Sequence, residues 1–399
     1  MRSETHTQRT WLTRSVAAIA VASLLSDACY ELIIPLLPAF ITSLGGGPLA
    51  LGLMEGIADG LAFPFKLAGG VLADRTRRRR VWTMAGYLGV GLLMPAIALA
   101  HSVASVVGLR GAAWASRGFR SPIRDTLLVD DTDPKFVNRA FGFQRALDTV
   151  GAVIGPALGI GLIQAGWPVS RAIGVGVIPG VLAGLMYLLV RERPRSVPPK
   201  EPLHLALVGL PSEFRRYLLA AGIFGAGNFS TTLLVLVATR ALTPHVGPVL
   251  AVALAAGMYL GHNLLFAAVA YPASIISEKI GSGRLLLVAF VLFSCVGAIV
   301  AVGSTSIPAV VAAFALAAVG VAIVEPMEGT FATELLPAQR RGTGFGVLAS
   351  VNGVGDFISS AGVGALWQAL GAAPAFGAAA AICVLGAILL VPVVVRRAS

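Results

Sequence analysis

Asp27 and Glu31 lie four residues apart inside an apolar run, and Glu55 and Asp59 repeat that spacing in the next one. At 3.6 residues per turn each pair shares one face of a helix. Four carboxylates on two neighbouring helices must be relieved by protons or by cationic partners, because like charges at that spacing repel. The partners are at hand: Arg110, Arg117 and Arg124 recur every seven residues as one stripe in the fourth apolar run, with Arg120 beside it and Asp125 next in sequence. Gln144, Arg145 and Asp148 open the fifth run. Two kinds of chemistry fit. In one, the four acids carry protons or bind a cationic substrate, while Arg110 and Arg117 tune them or grip an anionic one. In the other, the same residues are salt bridges holding four helices together, with Arg120, Arg124 and Asp125 at the membrane surface.

Polar groups recur more sparsely further on: Asn228 in the seventh run, His262 and Asn263 in the eighth, Glu325 and Glu328 in the tenth, and Asn352 and Asp356 in the eleventh. An ionisable group costs about 2.5–3.5 kcal/mol at the bilayer centre on insertion scales, so these residues are expected to face a cavity or one another. The residues expected to line that cavity are Glu55, Trp114, Arg117, Arg120, Gln144, Asp148, Asn228, Asn263, Glu325, Glu328, Asn352 and Asp356, with Asp27, Glu31, Asp59 and Arg110 handling protons. Pro326, between two of the acids, is expected to break or kink its helix and expose carbonyls beside them. His262 is expected to be structural, and for the asparagines interhelical hydrogen bonding competes with substrate contact.

The elements that hold these residues follow from composition. The chain has 399 residues, 56% hydrophobic and 12% charged, which is far from a soluble domain. A span needs roughly 20 apolar residues. Twelve such runs are placed at 15–41, 48–72, 81–101, 103–128, 141–164, 170–190, 216–240, 247–273, 284–304, 307–333, 344–368 and 373–395. The fold class is therefore all-α integral membrane, with about twelve transmembrane helices. The first run is too long for a signal peptide and carries Asp27 and Glu31, so it reads as a retained helix.

The formal charge of +11 does not point to nucleic acid, because the basic residues gather in alternate loops. Arg75, Arg77 to Arg80, Lys135, Arg191 to Arg216, Lys279, Arg284, Arg340 and Arg396 fall on one side, and little beyond Arg171 and Arg240 on the other. The positive-inside rule then places both termini in the cytoplasm, in a multi-pass protein of a bacterial inner membrane. Cys29, Cys295 and Cys383 lie far apart, so neither a disulfide framework nor a metal site is suggested. P-loop, H-E-x-x-H and G-x-S-x-G patterns do not occur, which argues against an ATP-driven pump and against an enzyme.

The stretch 191–215 is polar and proline-rich, and it divides a six-helix half at 1–190 from another at 216–399. The loop after the second run of each half supports a duplication. GVLADRTRRRR (Gly70 to Arg80) and SIISEKIGSGR (Ser274 to Arg284) both set a small residue four before an acid that is followed by bases.

Gly70, Asp74, Arg75, Arg78 and Arg79 resemble the loop signature G-x-x-x-D-R-x-G-R-R of the major facilitator superfamily, with Arg77 where glycine is usual. Arg110 resembles the family's membrane-embedded arginine of the fourth helix, although Trp114 replaces the usual glycine four residues on. Gly151, Gly155, Pro156 and Gly159 fit the G-x-x-x-G-P-x-x-G pattern of proton-exchanging exporters, and the block WASRGFRSPIRDTLLVDDTDPKFVNRAFGFQRALDTVGAVIGP resembles bacterial drug-exporter-like permeases. The resemblance implies the two-halved fold, a monomer, Asp74 as a gating residue and the fifth helix as a bendable element between the halves. With no cofactor but the proton as coupling ion, the expected activity is secondary transport of a small organic or amphipathic molecule by alternating access, as antiport. Uptake of an anionic metabolite held by Arg117 and Arg120, or a channel or sensor on the same fold, are the alternatives.

Overall fold

A computed structural model describes residues 12–132, 137–192, 210–336 and 341–398. Its helices fall into twelve spans. In the first half they are α1 (Arg14–Ser43, with a tight 3-10 turn at Ile34–Leu36), α2 (Pro48–Arg75), α3 (Arg79–Leu99), α4 (Val103–Asp130), α5 (Val137–Gln164) and α6 (Val169–Leu189). In the second they are α7, in two pieces α7a (Ser212–Gly225) and α7b (Thr231–Val246), then α8 (Pro248–Ile280), α9 (Ser282–Gly303), α10 (Ile307–Leu335), α11 (Arg341–Leu370) and α12 (Ala372–Ala398). Of the linker expected at 191–215, residues 193–209 lie outside the described residues.

Eight of these helices are long and apolar enough to cross a bilayer on length and composition alone. The others, α2, α4, α7 and α11, carry the charges, the break or the small polar residues. Their spans hold Glu55, Asp59, Arg110, Arg117, Asn228 and Asp356, and a helix lined this way turns its polar face to protein rather than lipid. By contrast Leu92, Leu188, Val291 and Ile388 on α3, α6, α9 and α12 are 51–60% exposed, which places those four helices at the lipid-facing rim.

Local chemistry sets the helix ends. Thr13 caps α1 by accepting from the amide of Val16 and donates to Asp131 just beyond α4 at 2.7 Å, so the start of α1 is tied to the end of α4. Ser102 and Ser105 form a reciprocal capping box at the start of α4. Arg79 is buried, donates to the carbonyl of Ala73 at 2.6 Å and pairs with Asp130, which pins the α2–α3 turn to α4. This residue of the loop signature thus serves its own half. The backbone of Asp74 and Arg75 closes α2, and their side chains lie outside the described residues.

Two expectations about helix continuity are corrected. The seventh span, expected to run unbroken through 216–240, is interrupted at residues 226–230, AGNFS. Small residues let this break seat closely: Gly225 lies against Gly355 of α11 and Gly227 against Ala379 and Cys383 of α12, while Ser359 donates to the carbonyl of Asn228 at 2.9 Å. Pro326, expected to break or kink its helix, does not break it: α10 runs through it without interruption. Proline removes one backbone hydrogen bond, and a long helix packed on its neighbours tolerates that loss.

Three apolar cores reveal the state of the molecule. One gathers Val16, Ile19, Tyr87, Leu128 and Tyr187 and belongs wholly to the first half; another gathers Phe214, Phe224, Phe290, Phe331 and Leu390 and belongs wholly to the second. Both lie toward the face that carries the chain termini, here the terminal face. The third core spans both halves, joining Leu36, Phe40, Met54 and Val106 to Leu233, Leu242, Ala255 and Phe376 near the opposite face. The halves are fused at one end and separate at the other, so the space between them opens to the terminal face.

Candidate functional site

Between the halves lies a cavity of about 520 Å³. From the first half Asp27, Tyr30, Glu31, Arg117, Arg145 and Asp148 line it, and from the second His262, Asn263, Phe266, Glu325 and Pro326. α1 brings Asp27 and Glu31 to one wall because they are one helical turn apart, α4 brings Arg117, and the first turns of α5 bring Arg145 and Asp148. Arg145 and Asp148 approach to 3.8 Å across one turn. Arg117 takes no carboxylate within salt-bridge distance among the described residues; it donates to the Tyr30 hydroxyl at 3.2 Å and lies over the rings of Tyr30 and Trp114. A guanidinium held by aromatic faces keeps its charge available to the cavity.

Behind the cavity, toward the opposite face, the remaining charges form a connected chain. Arg110, 2% exposed, donates to Glu55 Oε2 at 2.8 Å and lies 3.3 Å over the Trp114 ring. Trp114 Nε1 donates to Asp59 at 2.9 Å. The acids expected to pair with the arginines therefore divide: Glu55 takes Arg110, Asp59 takes the indole, and Glu31 turns to the second half. Glu31 Oε2 accepts from the Tyr259 hydroxyl at 2.8 Å and from Asn263 Nδ2 at 3.3 Å, and Asn263 also donates to the carbonyl of Ala152 on α5. Glu55 Oε1 accepts from the Thr232 hydroxyl at 3.1 Å.

Some expected lining residues stand elsewhere. Arg120 does not line this cavity and is not at the membrane surface; it is 3% exposed inside the first half, donating to Ser26 at 3.0 Å with its guanidinium 3.5 Å over Tyr87. Three residues on from Arg117, it is turned by about 60° around the helix, enough to point it at α1 and α3. Gln144 is buried one layer back, donating to Ser23 and to Asp148. Glu55 and Trp114 are buried beneath the cavity, not on its wall. Asn228, Glu328, Asn352 and Asp356 line a smaller recess of about 230 Å³ inside the second half, where Asn352 donates to Glu328. Glu325 borders both spaces. His262 lines the cavity, meets the carbonyl of Phe314 at 3.2 Å and stacks beside Tyr259.

The glycines of the fifth-helix motif face α1 within the same half, not the second half: Gly151 rests on the carbonyl of Leu24, and Gly155 on Ala28 and Leu32. Smooth contact between the halves is provided instead by Gly52, Gly56 and Gly60 on α2 against Phe357, Ser360 and Gly364 on α11. That four-residue glycine spacing was readable in the sequence. Thr232, Tyr259 and Tyr30 carried no signal there, since hydroxyl residues in apolar runs are common.

Two six-helix halves with a polar cavity between them define a membrane transport protein. The chain matches the family model of the Major Facilitator Superfamily over residues 19–261 and again over 219–399, and it belongs to that family of secondary transporters. It is a transporter and not an enzyme. An uncharacterized MFS-type transporter of Methanocaldococcus jannaschii is 27% identical over 361 residues, covering 90% of this chain and 89% of that one. Multidrug resistance protein MdtG of Escherichia coli is 26% identical over 237 residues, 58% of this chain and 56% of MdtG. Among solved structures, the nucleoside transporter NupG superimposes with a TM-score of 0.80 over 95% of this chain and 99% of its own, at 11% identity, which bears on the fold alone.

Proposed function

We propose that the chain is a proton-coupled exporter that moves a small organic or amphipathic solute across a prokaryotic inner membrane by alternating access, as a monomer with both termini in the cytoplasm. The observation that carries this reading is the placement of Asp27 and Glu31. Both line the cavity between the halves, and Glu31 is also a point where the halves bond to each other. A carboxylate that meets both solute and gate is where a proton can exchange for cargo and bias the two orientations. The partial likeness to MdtG supports the direction. Asp74 and the surrounding Gly70, Arg75 and Arg78 are assigned to the gating loop, and Pro156 with Gly151, Gly155 and Gly159 to a helix that flexes together with α1.

Uptake of an anion is the second reading, and the exposed side of Arg117 favours it. Two facts weigh against it: Asp27, Glu31, Asp148 and Glu325 outnumber Arg117 and Arg145 on the cavity wall, and Arg120 is withdrawn from it. Purified protein in proteoliposomes, offered organic cations and anions with and without an imposed proton gradient, tests both. Gradient-dependent flux of a cationic or neutral amphiphile, lost in Asp27→Asn and in Glu31→Gln while the proteins remain folded, is expected. Flux that survives dissipation of the gradient overturns proton coupling, and flux of anions only overturns the exporter reading.

A further inference from the structure

Three hydrogen bonds that join the halves end on a carboxylate of the first half: Tyr259 and Asn263 donate to Glu31, and Thr232 donates to Glu55. None of these donors belongs to a charged pair, and the structure gives two of them an unusual setting. Thr232 stands in the first turn of α7b, directly after the break at residues 226–230. Ser230 caps that turn by accepting from the Thr232 amide at 3.2 Å, and its hydroxyl donates to the Thr232 hydroxyl at 3.1 Å. The Thr232 hydroxyl in turn donates to Glu55 Oε1, while Arg110 holds Glu55 Oε2. The break in α7 is thus fastened through one hydroxyl to a carboxylate that α4 holds in place. Tyr259, 7% exposed, reaches from α8 to Glu31 at the inner end of the cavity.

Position along the helices shows what these bonds close. Glu55 is seven residues from the start of α2, about 10 Å from the opposite face at 1.5 Å per residue. Tyr259 is eleven residues from the start of α8, about 16 Å from the same face. Both bonds therefore lie between the cavity and the opposite face, at the lower edge of the core that fuses the halves. In an alternating-access cycle this is the barrier that must part. Apolar packing resists parting without direction, whereas a hydrogen bond to an ionised acceptor is strong, oriented and lost at once when the donor moves away.

We propose that Thr232 and Tyr259 are positioning residues of the transport cycle. By donating to Glu55 and Glu31 they hold the opposite face shut, and α7b and α8 are the pieces that leave α2 and α1 when it opens. The inference rests on the alternating-access part of the proposed function and is independent of cargo and direction.

Spin-label distances across the opposite face test it. In a Cys295→Ser background, labels on Leu49→Cys of α2 and Val249→Cys of α8, both exposed positions, report that face in lipid nanodiscs. Thr232→Val and Tyr259→Phe, each lacking the hydroxyl that donates to the carboxylate, are expected to raise the ratio of open to closed population about tenfold, the effect of one hydrogen bond to a charged acceptor. Thr232→Ser, which keeps the hydroxyl, is expected to restore the parental ratio. Thr239→Val, whose hydroxyl bonds only its own helix at Val235, is expected to leave the ratio unchanged. Equal ratios in the parent, Thr232→Val and Tyr259→Phe overturn the inference and leave alternating access standing. A single distance in every protein, under every condition, overturns alternating access and the inference with it.

Discussion

The halves meet along two seams that differ in kind. Where α2 meets α11 the contact is close and made largely by backbone: a Cβ on Gly364 would lie 3.0 Å from Gly52 Cα, one on Gly56 2.9 Å from the carbonyl of Phe357, and one on Gly353 3.1 Å from Phe63 Cβ. This contact continues from Pro48 to Phe63, well toward the terminal face where the apolar cores of the halves have parted. Where α1 and α5 meet α8 the contact is polar, made by Glu31, Ala152, Tyr259 and Asn263, and it gives way to the cavity on the terminal side. A smooth seam permits rolling without breaking any directed bond, whereas a polar seam must make and break bonds as it moves. The difference assigns the first as a pivot and the second as the mouth.

The harshest way to break that assignment is to fill the pivot. Gly52→Val places a branched side chain against the Ser360 carbonyl and Gly364, and backbone atoms cannot step aside. Overpacking of this kind costs about 1–3 kcal/mol, so transport is expected to fall at least about tenfold in proteoliposome flux. Gly362→Ala, on the same α11 but with open space where the Cβ would go, is expected to transport as the parent does. Equal activity in both variants would remove the pivot.

A second test, read in stability and not in flux, is the buried pair behind the seams. Glu55 sits one turn from Gly52 and, among the described residues, is the only acid bonded to Arg110, with both side chains 2–3% exposed. Removing one partner of a buried pair costs about 3–5 kcal/mol, because the other charge is stranded. Arg110→Met is therefore expected to lower the thermal unfolding midpoint by several degrees, and adding Glu55→Gln is expected to recover part of the loss. A double variant no better than Arg110→Met would show that the pair does not act as a unit.

Much of this was legible in the sequence. Helix period placed Asp27 with Glu31, and loop charge gave the alternation of faces that the spans follow. Pairings across helices were not legible. Seven-residue spacing put Arg110, Arg117 and Arg124 on one stripe, yet Arg110 finds Glu55, Arg117 finds Tyr30 and Arg124 finds its neighbour Asp125. Which carboxylate meets which guanidinium depends on helix depth and rotation, neither of which is written in one helix alone. The break at residues 226–230 did have a local signal, since Gly225, Gly227, Asn228 and Ser230 cluster within six residues, and such clusters interrupt helices. Pro326 had the stronger signal and leaves its helix unbroken, because packing outweighed propensity.

Arg120 gives the smallest and most discriminating effect. It lies on α4 with Arg110 and is buried as deeply, but no carboxylate lies within salt-bridge distance among the described residues. Its Nε and Nη1 have no hydrogen-bond partner. Arg120→Met gives up one hydroxyl bond and the face of Tyr87, and it also removes a buried charge with two unmet donors. Loss and relief nearly cancel, so stability is expected to change by no more than about 1 kcal/mol, as buried charges replaced by apolar groups of similar size often show. A shift as large as that of Arg110→Met would mean that Arg120 gains a carboxylate in the other orientation of the halves. The first half would then change its internal pairing during the cycle, in place of swinging as one body about the glycine seam.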